Sequence, residues 1–347
     1  MAQINKPSDY FNTVLYTGTG ATQSITGVNF QPDWVWIKCR NVASNHQSFD
    51  SVRGATKQLF PNLTNAEQTG ATSLTSFDSD GFSLGNASGV NGSGQTHAAW
   101  NWLAGGTASS NTDGSITSTV SANTTSGFSI VSYTGNGTAG ATVGHSLGST
   151  PSFIVIKCRS AAHGWYAYHN KIDATAPEDY FIRFDTTDAR VDSPAILNDT
   201  APTNSVFTLG SNVAANGSGL TYVAYCFAEK QGYSKFGSYT GNGNADGTFV
   251  YTGFKPAFTI LKKSSASGNR WVINDSKRSP SNVVNKSLFA DSTSTDTTTS
   301  QEIDYLSNGF KLRTTSSNHN TSSATYIYMA FAESPLVGTN NIPATAR

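Results

Sequence analysis

The sequence predicts an all-β protein made of three tandem β-sandwich domains, jelly-roll or concanavalin-like, and three observations carry that expectation. The hexapeptide "SYTGNG" stands at Ser132–Gly137 and again at Ser238–Gly243, with a near copy, "LYTGTG", at Leu15–Gly20. Apolar residues alternate in short runs with the period of two that places side chains on opposite faces of a strand, and long helical patterns are missing. Ser, Thr, Asn and Gly fill the intervals, which is the chemistry of turns.

In chain order, the residues up to Pro7 form a short arm. In the first copy Tyr16–Gly20 leads to "GVNFQPDWVWIKCR", in the second Tyr133–Gly137 leads to "GSTPSFIVIKCR", and in the third Tyr239–Gly243 leads to "GFKPAFTILKKS". Each copy therefore reads as a strand, a Gly/Asn turn that closes a first hairpin, a proline, and a second strand. The later halves repeat as well: a Phe (Phe82, Phe207, Phe310), a Ser/Asn/Gly loop, then an alternating aromatic strand. "DG" at Asp80-Gly81 and "NG" at Asn308-Gly309 are further turn signals. In the second copy Tyr222, Ala224 and Cys226 face one way and Val223, Tyr225 and Phe227 the other, so this strand is central and covered on both faces.

A period of about 105 residues is too long for a propeller blade or a solenoid unit and suits a sandwich. The expected boundaries are an arm at 1–7, domains at 8–106, 127–231 and 232–335, and a tail at 336–347. Segment 107–126 reads as a linker by composition or, from the alternation at Ser115–Val120, as an edge strand of the second domain. Such a spacer lets the first domain swing, while the second and third, joined directly at "AEKQGYSKFG", form a stiff pair.

Composition excludes several function classes. Charged residues make up 13% of the 347, and 22 basic side chains balance 22 acidic ones, so no net field steers the chain to nucleic acid or an anionic membrane. The start, "MAQINKPSDYF", lacks the basic and apolar regions of a signal peptide, and no apolar run is long enough to span a bilayer, so the reading is a soluble, unprocessed chain without membrane insertion. Cys39, Cys158 and Cys226 have neither metal spacing nor an even count, and are expected as buried free thiols.

Candidate chemistry is sparse. His46, His97, His145, His163, His169 and His319 show no zinc-binding spacing, and surface or loop roles are expected; no nucleophile elbow is present. "DSD" at Asp78–Asp80 and "PED" at Pro177–Asp179 are the carboxylate pairs to weigh for calcium or glycoside chemistry, the first reading better as a turn. Lys38, Lys157 and Lys262 occupy one repeat position, with their stems expected to cover the strand end and their ammonium groups to reach water. Asp50 and Arg53 in "FDSVRG", echoed by Asp275 and Arg278 in "INDSKR", suggest a loop brace; the second copy has "YHNKIDA" there, and a specialised binding surface is expected where the copies diverge. Trp34, Trp36, Trp100 and Trp102 read as core, with sugar stacking as the other option. Loops Asn86–Gly94 and Asn212–Gly219, which share "NGSG", are the candidate glycan-binding loops.

The phrases "INKPSDYFNTVLYTGTG", "SFDSVRGATKQL", "SFDSDGFSLG" and "TYVAYCFAEKQGYSKFGSYTGNG" resemble a repeated domain of virion structural proteins in marine tailed bacteriophages, chains often labelled tail fibre proteins. The resemblance implies concanavalin-like sandwiches, no cofactor, no enzymatic activity, assembly in a bacterial cytoplasm and residence in the virion. On this reading Ala2, Gln3, Ile4, Asn5, Lys6 and Pro7 dock to other virion proteins, and the sandwiches project as a host-contact fibre. A homo-oligomer, a trimer on symmetry grounds, is expected, with host-surface glycan as ligand. A capsid decoration protein and a free carbohydrate-binding module are the alternatives.

Overall fold

A computed structural model of the chain describes residues 2–298, 300–338 and 343–345. Its strands fall into three runs. The first holds β1 (Phe11–Thr17), β2 (Gln23–Ile25), β3 (Trp34–Cys39), β4 (Gln47–Asp50), β5 (Lys57–Gln58), β6 (Gln68–Thr69), β7 (Leu74–Asp78), β8 (Gly81–Leu84) and β9 (Thr96–Trp102). The second holds β10 (Ser109–Asn111), β11 (Ser118–Asn123), β12 (Phe128–Thr134), β13 (Ala141–Gly144), β14 (Phe153–Cys158), β15 (Trp165–His169), β16 (Tyr180–Arg183), β17 (Val191–Asp192), β18 (Val206–Leu209) and β19 (Thr221–Phe227). The third holds β20 (Ser234–Thr240), β21 (Phe249–Tyr251), β22 (Phe254–Lys263), β23 (Val272–Asp275), β24 (Ser287–Phe289), β25 (Ile303–Leu306), β26 (Gly309–Leu312) and β27 (Thr325–Pro335).

One antiparallel strand order recurs in the large sheets: β1-β9-β3-β4, β12-β19-β14-β15 and β20-β27-β22-β23. A small sheet covers each of them, built on β2-β8, β13-β18 and β21-β26. The "YTG-x-G" segment is thus not a hairpin: β1 pairs with β9 and β2 with β8, so the segment carries the chain from one sheet to the other. The Asp80-Gly81 and Asn308-Gly309 turns do join paired strands, β7 to β8 and β25 to β26.

Each large sheet is buried on both faces, as a continuous apolar strand requires. In the second unit Tyr222, Ala224 and Cys226 face the small sheet, while Val223, Tyr225 and Phe227 face away from it. What covers that second face is the other two units. Trp34, Trp36, Trp100 and Trp102 join Phe153, Val155, Tyr225 and Phe227 and Phe258, Ile260, Met329 and Phe331 in one cluster. The pseudo-equivalent Trp102, Phe227 and Phe331 meet pairwise with ring centroids 6.5, 5.8 and 5.9 Å apart, which marks a pseudo-threefold axis.

This arrangement replaces the row of beads expected from the sequence. The first unit does not swing, because its tryptophans are core for all three; segment 107–126 contributes β10 and β11 to the large sheet of the second unit, the edge-strand option. The arm packs onto the ring: Ile4 is 3% exposed within the shared cluster, and the Gln3 amide donates to Gln231 O (3.0 Å).

Three joints close the ring head to tail, and equivalent positions supply one side-chain bond and one backbone bond at each. Trp165 Nε1 donates to Phe60 O, Trp271 Nε1 to Arg183 O, and His46 Nε2 to Phe289 O, all at 2.9 Å. Backbone bonds repeat likewise, from Glu67 N to Arg159 O (2.7 Å), Asp296 N to Arg40 O (2.8 Å) and Arg190 N to Ser264 O (3.0 Å).

Because the face between units is common property, the whole chain is expected to unfold in one calorimetric transition, not three. At the first joint Tyr225→Phe, which strips a buried hydrogen bond to a carboxylate, is expected to cost about 1.5–3 kcal/mol in urea denaturation and to lower that single midpoint.

Candidate functional site

The "DSVR"-type segments form the joints. Arg53 Nε pairs with Asp50 and Nη1 with Glu67 (3.1 Å), and Arg159 of the second unit reaches the same Glu67 at 2.9 Å. The third unit repeats this toward the first: Arg278 pairs with Asp275 (2.6 Å) and Asp296 (2.8 Å), and Arg40 pairs with Asp296 (2.8 Å). The neighbour adds one more donor to each buried aspartate, Tyr225 Oη to Asp50 (2.7 Å) and Trp100 Nε1 to Asp275 (3.1 Å). Buried ions survive only when paired and fully hydrogen-bonded, and these are.

At the remaining joint both members change together. His169 takes the aspartate position and Met329 the donor position, since Phe153 faces His169 across the ladder as Trp34 faces Asp50, and Ile260 faces Met329 as Trp36 faces Trp100. His169 Nδ1 accepts from Lys171 N, so Nε2 carries the hydrogen and donates to Tyr328 O (3.0 Å). Arg190 stands where Glu67 and Asp296 stand, opposite Ser264 in place of an arginine. The divergent segment expected to offer a binding surface is therefore an internal joint, and the loop brace is a buried one.

The three lysines are buried as well, correcting the expectation that they reach water. Lys38 Nζ donates to Cys39 O (2.8 Å) and Thr293 O (3.2 Å), and Lys157 Nζ to His163 O (2.8 Å), Cys158 O (2.9 Å) and Thr64 O (3.2 Å). Lys262 Nζ donates to Asn269 O. Burial brings each ammonium group down to about 8, and the carbonyl dipoles around them hold loops at the joints.

The repeated hexapeptide is a lock on a buried asparagine. Asn91 Nδ2 donates to Gly85 O (2.7 Å) and Ala21 O, and its Oδ1 accepts Thr19 N (2.9 Å). Asn216 does the same with Gly210 O, Thr138 O and Asn136 N, and Asn320 with Thr314 O, Asn244 O and Asn242 N. The motif tyrosines Tyr16, Tyr133 and Tyr239 donate to the carbonyl just before each asparagine, at 2.7, 2.8 and 2.8 Å. The first glycine has no room for a side chain, as a Cβ on Gly18 would lie 2.3 Å from Gly92 O, and Gly20 sits at φ +73°. In the candidate glycan loops, then, Asn91 and Asn216 are already satisfied and offer a ligand nothing.

Five of the six histidines are buried, His163 alone being partly exposed, which overturns the surface role expected of them. Trp36 Nε1 donates to His46 Nδ1, fixing its other nitrogen as the donor at the joint. His97 stacks on Tyr16 as Tyr222 stacks on Tyr133 and Tyr326 on Tyr239, with centroids 5.0–5.1 Å apart. The ring nitrogens of His319 have no hydrogen-bond partner among the described residues. Asp80 caps the amides of Gly27 (3.0 Å) and Asn29 (2.7 Å), and Asp78 accepts from Ser76 and Ser83. Among the described residues no cluster of three or more His, Cys, Asp or Glu side chains has a geometry for metal, and the three cysteines are free and buried.

The two ends of the molecule differ. Connectors 103–108 and 228–233 leave from the Trp102/Phe227/Phe331 end, where the arm packs on Gln231. The asparagine locks lie at the other end of each large sheet. Asp246 apart, segments 17–23, 85–95, 134–140, 210–220, 240–247 and 314–324 there contain no charged residue, and Asp246 pairs with Lys311 (2.6 Å). This end, where Ser, Thr, Asn and Gly loops recur three times with Val213 exposed in the second unit and Asp246 in the third, is the candidate contact face.

Burial depresses His97 and His169 to about 4 and His319 to about 3, so the unfolded chain takes up protons first, near its ordinary value of about 6.5. Stability is expected to be complete above about pH 6.5 and to fall progressively as pH drops toward about 4, read as urea midpoints at pH 7.5 and 4.5. His319→Val, which installs the residue of the equivalent position Val90, is expected to make that slope shallower while changing stability at pH 7.5 by no more than about 1 kcal/mol.

Neither the curated proteins nor the solved structures contain a match to the chain. One family model matches residues 6–335, from the arm to the last residue of β27, and its description is a domain of unknown function, DUF7483. The pseudo-threefold ring of three sandwiches is thus the unit that the family model spans, and the chain belongs to the DUF7483 family.

Proposed function

We propose that the chain is a non-enzymatic structural protein of a bacteriophage virion, a fibre-like host-contact component whose asparagine-locked loop end faces outward. The observation that carries this reading is the polarity of the ring: arm and connectors gather at one end, and three equivalent loop clusters are displayed at the other, uncharged in the first two units and carrying the Asp246–Lys311 pair in the third. Weak sites repeated on one rigid body gain from effective concentration without any single strong pocket, which suits adhesion to a repetitive host surface such as glycan. The resemblance of the quoted phrases to those of phage virion proteins supports the setting.

A capsid decoration role is the second reading, and the pseudo-threefold axis favours it. A single chain that arranges three similar units about one axis can seat on a threefold junction of capsomers without forming a homotrimer. Immunogold labelling of intact particles with antibody to the purified chain separates the two. Gold on the tail or projecting fibres is expected; an even coat over the capsid selects decoration, and unlabelled particles refute both.

A further inference from the structure

The three units solve one problem in three ways, and the third solution is incomplete. At the outer side of each sandwich the edge strand of the large sheet (β1, β12, β20) faces the edge of the small sheet (β2, β13, β21), leaving a slot that opens the core. In the second unit the slot is shut by the chain itself. β11 pairs antiparallel with β12, Ile116 N donates to Thr142 O (2.9 Å), and Ser118 Oγ donates to Gly144 O (3.0 Å). In the first unit a side chain bridges it, Asn12 Nδ2 donating to Val28 O at 3.2 Å and Gly27 O at 3.4 Å.

In the third unit the residue aligned with Asn12 is Lys235, and it turns away to Glu229 (2.6 Å). Among the described residues no strand pairs with the outer edge of β20 from Lys235 to Thr240. At the start of that edge a groove of about 470 Å³ opens between Ser234, Lys235 and Tyr251 and the arm, connector and tail residues Ala2, Gln231 and Val337. Its small-sheet wall has changed character. Phe249 and Tyr251 stand where the second unit has Thr142 and Gly144, and they are 44% and 58% exposed. Two aromatic rings acquired on the outer surface of one copy alone, beside an unpaired strand edge, are the marks of a covered surface.

We propose that this flank receives an extended strand of a partner protein, laid antiparallel on β20 with small side chains facing the slot in the manner of Ser118, Val120 and Ala122 on β12. The chain's own β11 at the equivalent position shows what shape and polarity fit, and strand addition supplies affinity through main-chain hydrogen bonds, with the aromatic wall selecting the side chains.

The test uses the full chain and a synthetic peptide of residues 115–124, which spans β11, read by amide hydrogen exchange. Saturable protection of β20 and β21 is expected, with about tenfold weaker binding in Tyr251→Lys. Tyr251 is largely exposed, so the variant's urea midpoint is expected to match the parent's. Three results overturn the proposal: no protection at any peptide concentration, protection confined to β12 and β13, or concentration-dependent protection of β20 without peptide, which assigns the edge to a second copy.

Discussion

A large sheet whose four recurring strands are apolar on both faces has to be covered twice, and a single sandwich covers it once. The small sheet takes one face of each unit; the other face carries Trp34, Trp36, Trp100 and Trp102 in the first unit and their counterparts in the rest. Burying a side chain of that size is worth roughly 1.5–3 kcal/mol, so a unit left alone would forgo a large part of its driving force. Three such faces turned toward one axis satisfy one another, and the closed ring, the head-to-tail joints and the two distinct ends all follow from that requirement.

The joints show how polar groups are accommodated inside such a core. At two of them an aspartate, an arginine and a shared second acid form a buried network that the neighbouring unit completes with a tyrosine or a tryptophan. At the third the acid, its arginine partner and the incoming donor have all been exchanged, leaving a neutral histidine on a backbone carbonyl. A half-altered network would strand a charge at a cost of about 3–5 kcal/mol, which is the physical reason the members change as a set. The buried lysines obey the same rule by capping carbonyls.

A covalent trimer is also free to let its copies diverge. A homotrimer repeats every surface feature three times, whereas this chain shuts one slot with a strand, bridges another with Asn12 and leaves the third beside Phe249 and Tyr251. Structural repetition supplies the rigid ring, and divergence supplies positions that can become specific.

Much of this was written in the sequence. Period-two alternation identified the strands and even separated the two faces of β19, and the threefold recurrence of "YTG-x-G" located the repeats, because these are local patterns set by backbone geometry. The asparagine locks were visible as a shared "NGSG" without their meaning, since the bonds of Asn91 to Ala21 and Gly85 span up to 70 residues. Which element covers the second face of a sheet is a different kind of question. Ala224 and Val223 are both apolar in sequence, yet the first packs within its unit and the second in the cluster shared with the other two, and no local pattern distinguishes an inner face from an interface. The burial of Lys38, Lys157 and Lys262, the roles of Asp50 and Arg278, and the placement of the arm were therefore decided only when the three sheets closed on their common axis, where long-range packing sets the solvent exposure that fixes what each polar group must do.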